Sequence, residues 1–312
     1  MLKYYKTDLS QNLTKELDEI QPDCWIDLSS PSQSEVEQVI AETGIESDLI
    51  LKMLDEDELP RIESADNATL IVIDVPASIE NGKKHITYPL GVIISDNHYV
   101  VTISPKSTKI LDSFKKNLIK DFHTAKKTRF LIQIIINASA GYLKILKNIY
   151  NQIENKEKVL QQSTKNEDLI DLLSTEKTLV YFGTSLKEND LVLERLSKGL
   201  VLPLYEGDLD LLEDALIENR QAIDMAGIYQ NILNSITETY ATIVSNNLNN
   251  VMKFLAGATI VLSIPTIISS FLGMNVKFGI IGTSDYSAIA ILLFSLLASL
   301  LVALWLKKKG ML

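Results

Sequence analysis

The chain has 312 residues, 46% hydrophobic and 22% charged, enough for one large domain or two ordinary ones. Residues 1–252 hold 25 of the 30 basic residues and 39 of the 40 acids, whereas residues 253–312 carry five Lys and one Asp. An acidic body on a basic, apolar tail repels nucleic acid, and a single cysteine, Cys24, excludes an intrachain disulfide and fits a reducing compartment. Cys24 and three scattered histidines (His85, His98, His123) make no transition-metal cage. The acidic surplus serves solubility or attracts cations. No leader peptide is expected, because MLKYYKTDLS leads into no apolar run. Neither a GxxxxGK[ST] phosphate loop nor a catalytic constellation occurs. An enzyme, an organic cofactor and a pump driven by the chain's own ATPase are therefore not expected.

Residues 1–125 read as an α/β domain. The segments CWIDLSS, ATLIVIDVP, YPLGVIIS and HYVVTIS are short β-branched runs bounded by Pro, Asn, Asp and Ser. SQSEVEQVIAETG predicts a helix with a Ser cap before it and a Gly after it, and ESDLILKMLDEDE a second helix. Strand order is not legible at this level.

Residues 126–252 read as a region of long helices and a stalk. One helix is expected from about Lys126 to Gln162 and another from about Asn166 to Gly199, separated by the polar patch QQSTKNED. Pro203 and Gly207 mark a turn. From Asp208 to Gly273 the only proline is Pro265. Leu209, Leu212, Leu216 and Ile223, then Tyr229, Ile232, Ile236, Tyr240 and Ile243, keep helical spacing. One helix therefore continues from the stalk into the apolar tail, about 100 Å long at the helical rise. A helix of that length needs partners, which implies oligomerisation.

Residues 253–312 read as a transmembrane domain. No charged residue occurs from Phe254 to Val276, nor from Tyr286 to Leu306. Each run exceeds the roughly 20 residues a helix needs to cross the hydrocarbon core. The expected boundaries are a first span at 254–273, an outer loop at 274–286, a second span at 287–306 and a basic tail at 307–312. Lys253 precedes the first span and Lys307, Lys308 and Lys309 follow the second, while the loop holds Lys277 offset by Asp285. The positive-inside rule then puts both termini in the cytoplasm and the loop outside. Tyr286 and Trp305 stand at interfacial positions. The second span is apolar nearly all round, whereas the first carries Thr259, Ser263, Thr266 and Ser270 at spacings of 4, 3 and 4. They share one helix face, which Ala256, Met252 and Asn249 continue downward. Such a stripe either packs against another helix or lines a pore, and a pore would need several copies around an axis.

Directly after the first span stands Gly273-Met274-Asn275, followed by a short loop and the second span. This arrangement resembles the CorA family of magnesium channels, whose signature is Gly-Met-Asn at the outer end of the first transmembrane helix. Ser245–Ala256 (SNNLNNVMKFLA) looks like the family's cytosol-to-membrane junction, and Pro265-Thr266 like its Pro and Thr. Glu176–Phe182, Trp25-Ile26-Asp27-Leu28 and Asp57–Glu63 are also similar. The resemblance is diffuse in the first two hundred residues and tight from Ser245 to Asn275.

What the resemblance implies is a funnel-shaped homopentamer in the cell membrane, made of an α/β cytosolic domain, long α-helices and a two-helix transmembrane hairpin. Five first spans would line the pore, with Asn249, Met252, Leu255, Ser263, Thr266 and Asn275 facing it, beside the Thr259 and Ser270 of the stripe. Gly273, Met274 and Asn275 would form the selectivity filter. The cargo would be Mg²⁺, with Co²⁺ and Ni²⁺ as companions. Neutral oxygens suit an ion that gives up its waters reluctantly; Leu255 and Met252 add apolar rings able to close by dewetting. Intracellular Mg²⁺ would also regulate, through Asp214 and, approximately by position, Glu80, bound between neighbouring subunits. Two departures stand out: Leu272 replaces an aromatic before the Gly, and Lys277 comes first after the Asn, with an acid only at Asp285. A zinc transporter of the same architecture and a non-conducting membrane-anchored scaffold are the rivals; Met274 argues for magnesium.

Overall fold

A computed structural model describes residues 1–8, 13–79, 84–96, 99–160, 166–274 and 286–312. They divide into two compact units, Met1–Ser235 and Ile236–Leu312.

The first unit is built on a seven-stranded sheet. Its strands are β1 (Leu2–Asp8), β2 (Leu13–Leu17), β3 (Trp25–Ser29), β4 (Arg61–Ala65), β5 (Ala68–Ile79), β6 (Lys84–Ser95) and β7 (Val100–Ser104). They lie in the order β2-β1-β3-β7-β6-β5-β4. Among them β3–β7 is parallel and the other pairs antiparallel. The four expected strand segments became β3, β5, β6 and β7; β1, β2 and β4 were not anticipated. Each of those three mixes a few apolar residues with charged or polar ones and lacks the regular alternation that marks a half-buried strand.

Both faces of the sheet are covered, so successive residues enter opposite cores. Tyr5, Trp25, Ile71 and Ile73 go to one side, with Phe114, Phe122 and Phe130. Tyr4, Ile26, Leu70 and Val72 go to the other, with Val36, Val39, Leu49 and Met53. That second side is closed by α1 (Gln33–Thr43) and α2 (Ser47–Leu51). Helix α1 starts in a capping box in which Ser32 and Glu35 satisfy each other's backbone, and ends at Gly44, as its sequence predicts. The second expected helix is shorter: α2 tightens into a 3-10 turn over Lys52–Leu54 and stops at Asp55, before the acidic run. That run has no apolar face to bury.

The first side is closed by α3 (Lys109–Lys115), α4 (Lys127–Leu160) and α5 (Asn166–Ser197). Trp25 sits among Phe114, Phe122 and Phe130, with ring centroids 5.1 to 6.5 Å away. Its indole N–H donates to Thr102 Oγ1 at 2.8 Å, the Thr102 hydroxyl donates to Asp27 Oδ1 at 3.2 Å, and Lys115 Nζ lies 2.6 Å from Asp27 Oδ2. Strand β4 reaches along β5 as far as the Arg61–Val72 pair. Beyond it, Asn189 of α5 takes the missing strand's place. Its side-chain oxygen accepts from Asp74 N–H and its amide donates to Asp74 O, both at 2.8 Å.

Helix α6 spans Glu206–Leu272, 67 residues with Pro265 inside it. Gly207 thus falls in its first turn rather than in the preceding loop. Helix α7 spans Ser287–Lys308. Among the described residues three helices are long and apolar enough to cross a membrane: α4, α6 and α7. They differ in what covers them, since 56% of the apolar window in α4 is buried, against 6% in α6 and 17% in α7. Helix α4 spends its apolar face on the sheet core, through Phe130, Leu131, Ile134 and Ile135. The windows of α6 and α7 leave theirs exposed, as lipid-facing surfaces do.

Candidate ion pathway

In the second unit, α6 shows two opposed stripes. Gly257, Val261, Ile264, Pro265, Ile268 and Leu272 are buried or half-buried. Thr259, Thr266 and Ser270 are exposed and Ser263 half-buried. At 3.6 residues per turn the two stripes lie about 180° apart. Helix α7 shelters a stripe of its own through Ile291, Ser295, Ala298, Ser299, Val302 and Leu306. The hydroxyl stripe of α6 is therefore not the sheltered side of the helix. Asn249, Met252 and Leu255, one to three turns toward the N-terminus, are likewise exposed, Met252 at 57% and Leu255 at 53%.

The hydroxyls are locally committed. Thr259 donates to Leu255 O at 2.8 Å, Ser263 to Thr259 O at 2.7 Å and Thr266 to Leu262 O at 3.3 Å. These bonds one turn back are the usual way a helix absorbs Ser and Thr in an apolar stretch. Each proton is used inside the helix, so each oxygen turns lone pairs outward.

At its far end α6 shows no left-handed residue among the described residues. Gly273 N–H bonds Ser269 O at 2.9 Å, as the helix would continue, and Met274 N–H reaches Phe271 O at 3.4 Å. Gly273 does not adopt positive φ, so it is not the left-handed helix stop that glycine commonly provides. Met274 is exposed at this end. Asn275, with Lys277 and Asp285, lies outside the described residues.

The tail supplies a feature the sequence reading did not anticipate. Gly310 takes φ 70°. Gly310 N–H bonds Lys307 O and Met311 N–H bonds Leu306 O, both at 3.1 Å. This is a Schellman stop, and it turns the chain back onto α6. A Cβ on Gly257 would stand 2.9 Å from Met311 O and 3.0 Å from Leu312 Cγ. The signal was present as three Lys, a Gly and two apolar residues.

In the first unit, Asp214 is exposed on α6 and Glu218 follows one turn later. Glu218 Oε2 is buried without a hydrogen-bond partner among the described residues. Burial, then the neighbouring Asp214 charge, push its carboxyl above the usual range. Such oxygens suit a hard cation, but among the described residues no three His, Cys, Asp or Glu converge into a metal cage. Any cation held at Asp214 would need ligands from elsewhere, and Glu80, the expected partner, lies outside the described residues.

Comparison with known proteins matches residues 23–308 to the family described as CorA-like Mg²⁺ transporter protein. A cobalt/magnesium transport protein CorA of Methanocaldococcus jannaschii is 29% identical over 263 residues, covering 81% of this chain and 80% of that protein. Its namesake from Thermotoga maritima is 22% identical over 259 residues, covering 81% and 73%. The complete structure of the CorA magnesium transporter from M. jannaschii superposes with a TM-score of 0.86 at 23% identity, covering 100% of this chain and 99% of that one.

Proposed function

Since the chain belongs to the CorA-like Mg²⁺ transporter family, we propose that it conducts hydrated divalent cations passively through a pore formed by several copies of α6. Magnesium is the principal cargo and Co²⁺ and Ni²⁺ its companions. The assembly is a homopentamer in the cell membrane, with both termini in the cytoplasm and five α7 helices as an outer ring. The observation that carries this reading is the opposition of stripes on α6. Its hydroxyls stand on the far side from the stripe that is sheltered within the hairpin, so they are available to a shared axis.

The chemistry follows from what those residues offer. A hydrated Mg²⁺ presents water protons on every side and exchanges its waters reluctantly. Acceptor oxygens of Thr259, Ser263, Thr266 and Ser270 can hold that shell through hydrogen bonds without displacing it. Asn275, five times around the axis, is the outer selectivity ring, with Gly273 and Met274 shaping it. Asn249 repeats the amide at the inner end. Met252 and Leu255 form apolar rings that close by dewetting. Carboxylates in these places would bind the ion too tightly for rapid passage.

Control by intracellular Mg²⁺ at Asp214, with Glu80 from a neighbouring copy, completes the proposal. The cation would neutralise like charges between subunits and favour the closed state, and its loss would let them separate. The Glu218 oxygen that lacks a partner among the described residues, and the raised pKa of its carboxyl, support a cation at the Asp214 turn, where it would relieve an existing repulsion.

The test is Mg²⁺ flux through the purified protein in liposomes, with internal Mg²⁺ varied. Flux of Mg²⁺ that falls as internal Mg²⁺ rises is expected, and Asn275→Ala should abolish it while leaving the oligomer intact. Zinc flux indifferent to magnesium, or undiminished flux in Asn275→Ala, would remove the assignment.

A further inference from the structure

Against its acidic surroundings, one stretch is strongly basic: residues 105–129 hold eight Lys or Arg against two Asp. Its last part walls a cavity of about 580 Å³ in the first unit, within the range of small-molecule sites. Lys126, Lys127 and Arg129 line it from the start of α4. Ile94, Val201, Leu202 and Pro203 form an apolar floor, and Tyr205, 70% exposed, stands at its edge. Two acids also line it: Asp96, exposed, and Asp208, buried with a carboxylate oxygen 3.4 Å from Tyr205 N–H.

Three features mark this cavity as built for negative charge. None of its three cations forms an ion pair among the described residues, although the chain has acids in excess. Arg129 Nε is buried and lacks a hydrogen-bond partner among the described residues. Residues 126–129, at the start of the 34-residue helix α4, line the same cavity, and the amides that open a helix have no acceptor within it. Lys127 donates to Ser95 O at 2.7 Å. Burial pushes its ammonium below the ordinary value, a cost that a neighbouring anion would offset.

We propose that this cavity binds a phosphate-bearing anion, held by Lys126, Lys127, Arg129 and the first turn of α4. The planar Arg fork and the helix amides match phosphate oxygens. The apolar floor and Tyr205 leave room for a flat, less polar group attached to the phosphate. Gly207 and Asp208, in the first turn of α6, belong to the same wall. The inference does not depend on ion transport.

The test is titration calorimetry of the full chain in detergent, in EDTA so that no metal bridges the ligand. ATP and inorganic phosphate are the two probes. Saturable binding at one site per chain is expected, weakened about ten-fold by Arg129→Gln or Lys126→Gln and unchanged by Lys109→Gln on α3. Phosphate that competes fully with ATP identifies the phosphate group as what is read. Tighter ATP binding that Tyr205→Ala reduces to the phosphate level assigns the floor to a nucleoside. Lys126 is exposed, so its variant folds even where the Arg129 variant does not. Absence of saturable binding by either probe at millimolar concentration, or binding indifferent to both cation variants, overturns the proposal.

Discussion

The carbonyl oxygen of Met311 stands 2.9 Å from the point a Cβ on Gly257 would occupy. Glycine there lets the tail seat against α6, on nearly the opposite face from the exposed Leu255 two residues before it. Gly257→Leu should unseat it, at an overpacking cost of about 1–3 kcal/mol. In a Cys24→Ser background, a cysteine placed at position 312 should then react with a thiol reagent several-fold faster. Unchanged labelling would mean that the tail does not rest on Gly257.

Asn189 replaces a strand for one residue of β5, and its amide is 2% exposed. Asn189→Ala leaves the Asp74 N–H and C=O without partners. A loss of about 1–3 kcal/mol is expected, read as a lower urea midpoint with unchanged slope. Asn189→Asp should recover only the bond from Asp74 N–H, because a carboxylate cannot donate to Asp74 O.

The Asp74 side chain carries a pH signature. Burial first, and then the charge of Glu188, raise its carboxyl above the ordinary value, while the Ser185 hydroxyl at 2.5 Å pulls the other way. A carboxyl raised in the folded state is protonated in both states at low pH, where it costs nothing. Its contribution is lost as pH climbs from the unfolded value of about 4 through the raised folded value. Asp74→Asn should therefore flatten this part of the stability-pH curve and match or exceed the parent at pH 8. A curve that keeps its slope in the variant would assign the effect to another group.

Much of this architecture could be read before any coordinates. The capping box at Ser32 and Glu35 and the Gly after α1 are local chemistry, and local chemistry is what a sequence displays. The buried runs of β5 and β6 were visible because both faces of the sheet are covered. The strands β1, β2 and β4 were not, since LKYYKTD, LTKEL and RIESA carry charge on positions that only a sheet makes sense of. Helix α3 was missed for the same reason: seven residues become a helix because Leu111 and Phe114 find a core. The hydroxyl stripe of α6 was legible as a stripe, whereas its opposition to the sheltered face emerged only from the folded second unit. The return of the tail to Gly257 needed three dimensions altogether.

For the proposed pathway, Thr266→Val keeps shape and removes an acceptor oxygen. Mg²⁺ flux in liposomes should fall about ten-fold or more, with the oligomer unchanged by size-exclusion chromatography. Ser263→Ala should act in the same direction. Parental flux in both variants would take the stripe out of the ion's path.

The backward-pointing protons of Thr259, Ser263 and Thr266 have one more effect. With each hydrogen held by a carbonyl of its own helix, these side chains have nothing to offer a chloride or a sulfate, which must be solvated by donors. In the proposed pore such a lining would sort ions by sign although it bears no charge, and an uncharged lining is one the hydrocarbon tolerates.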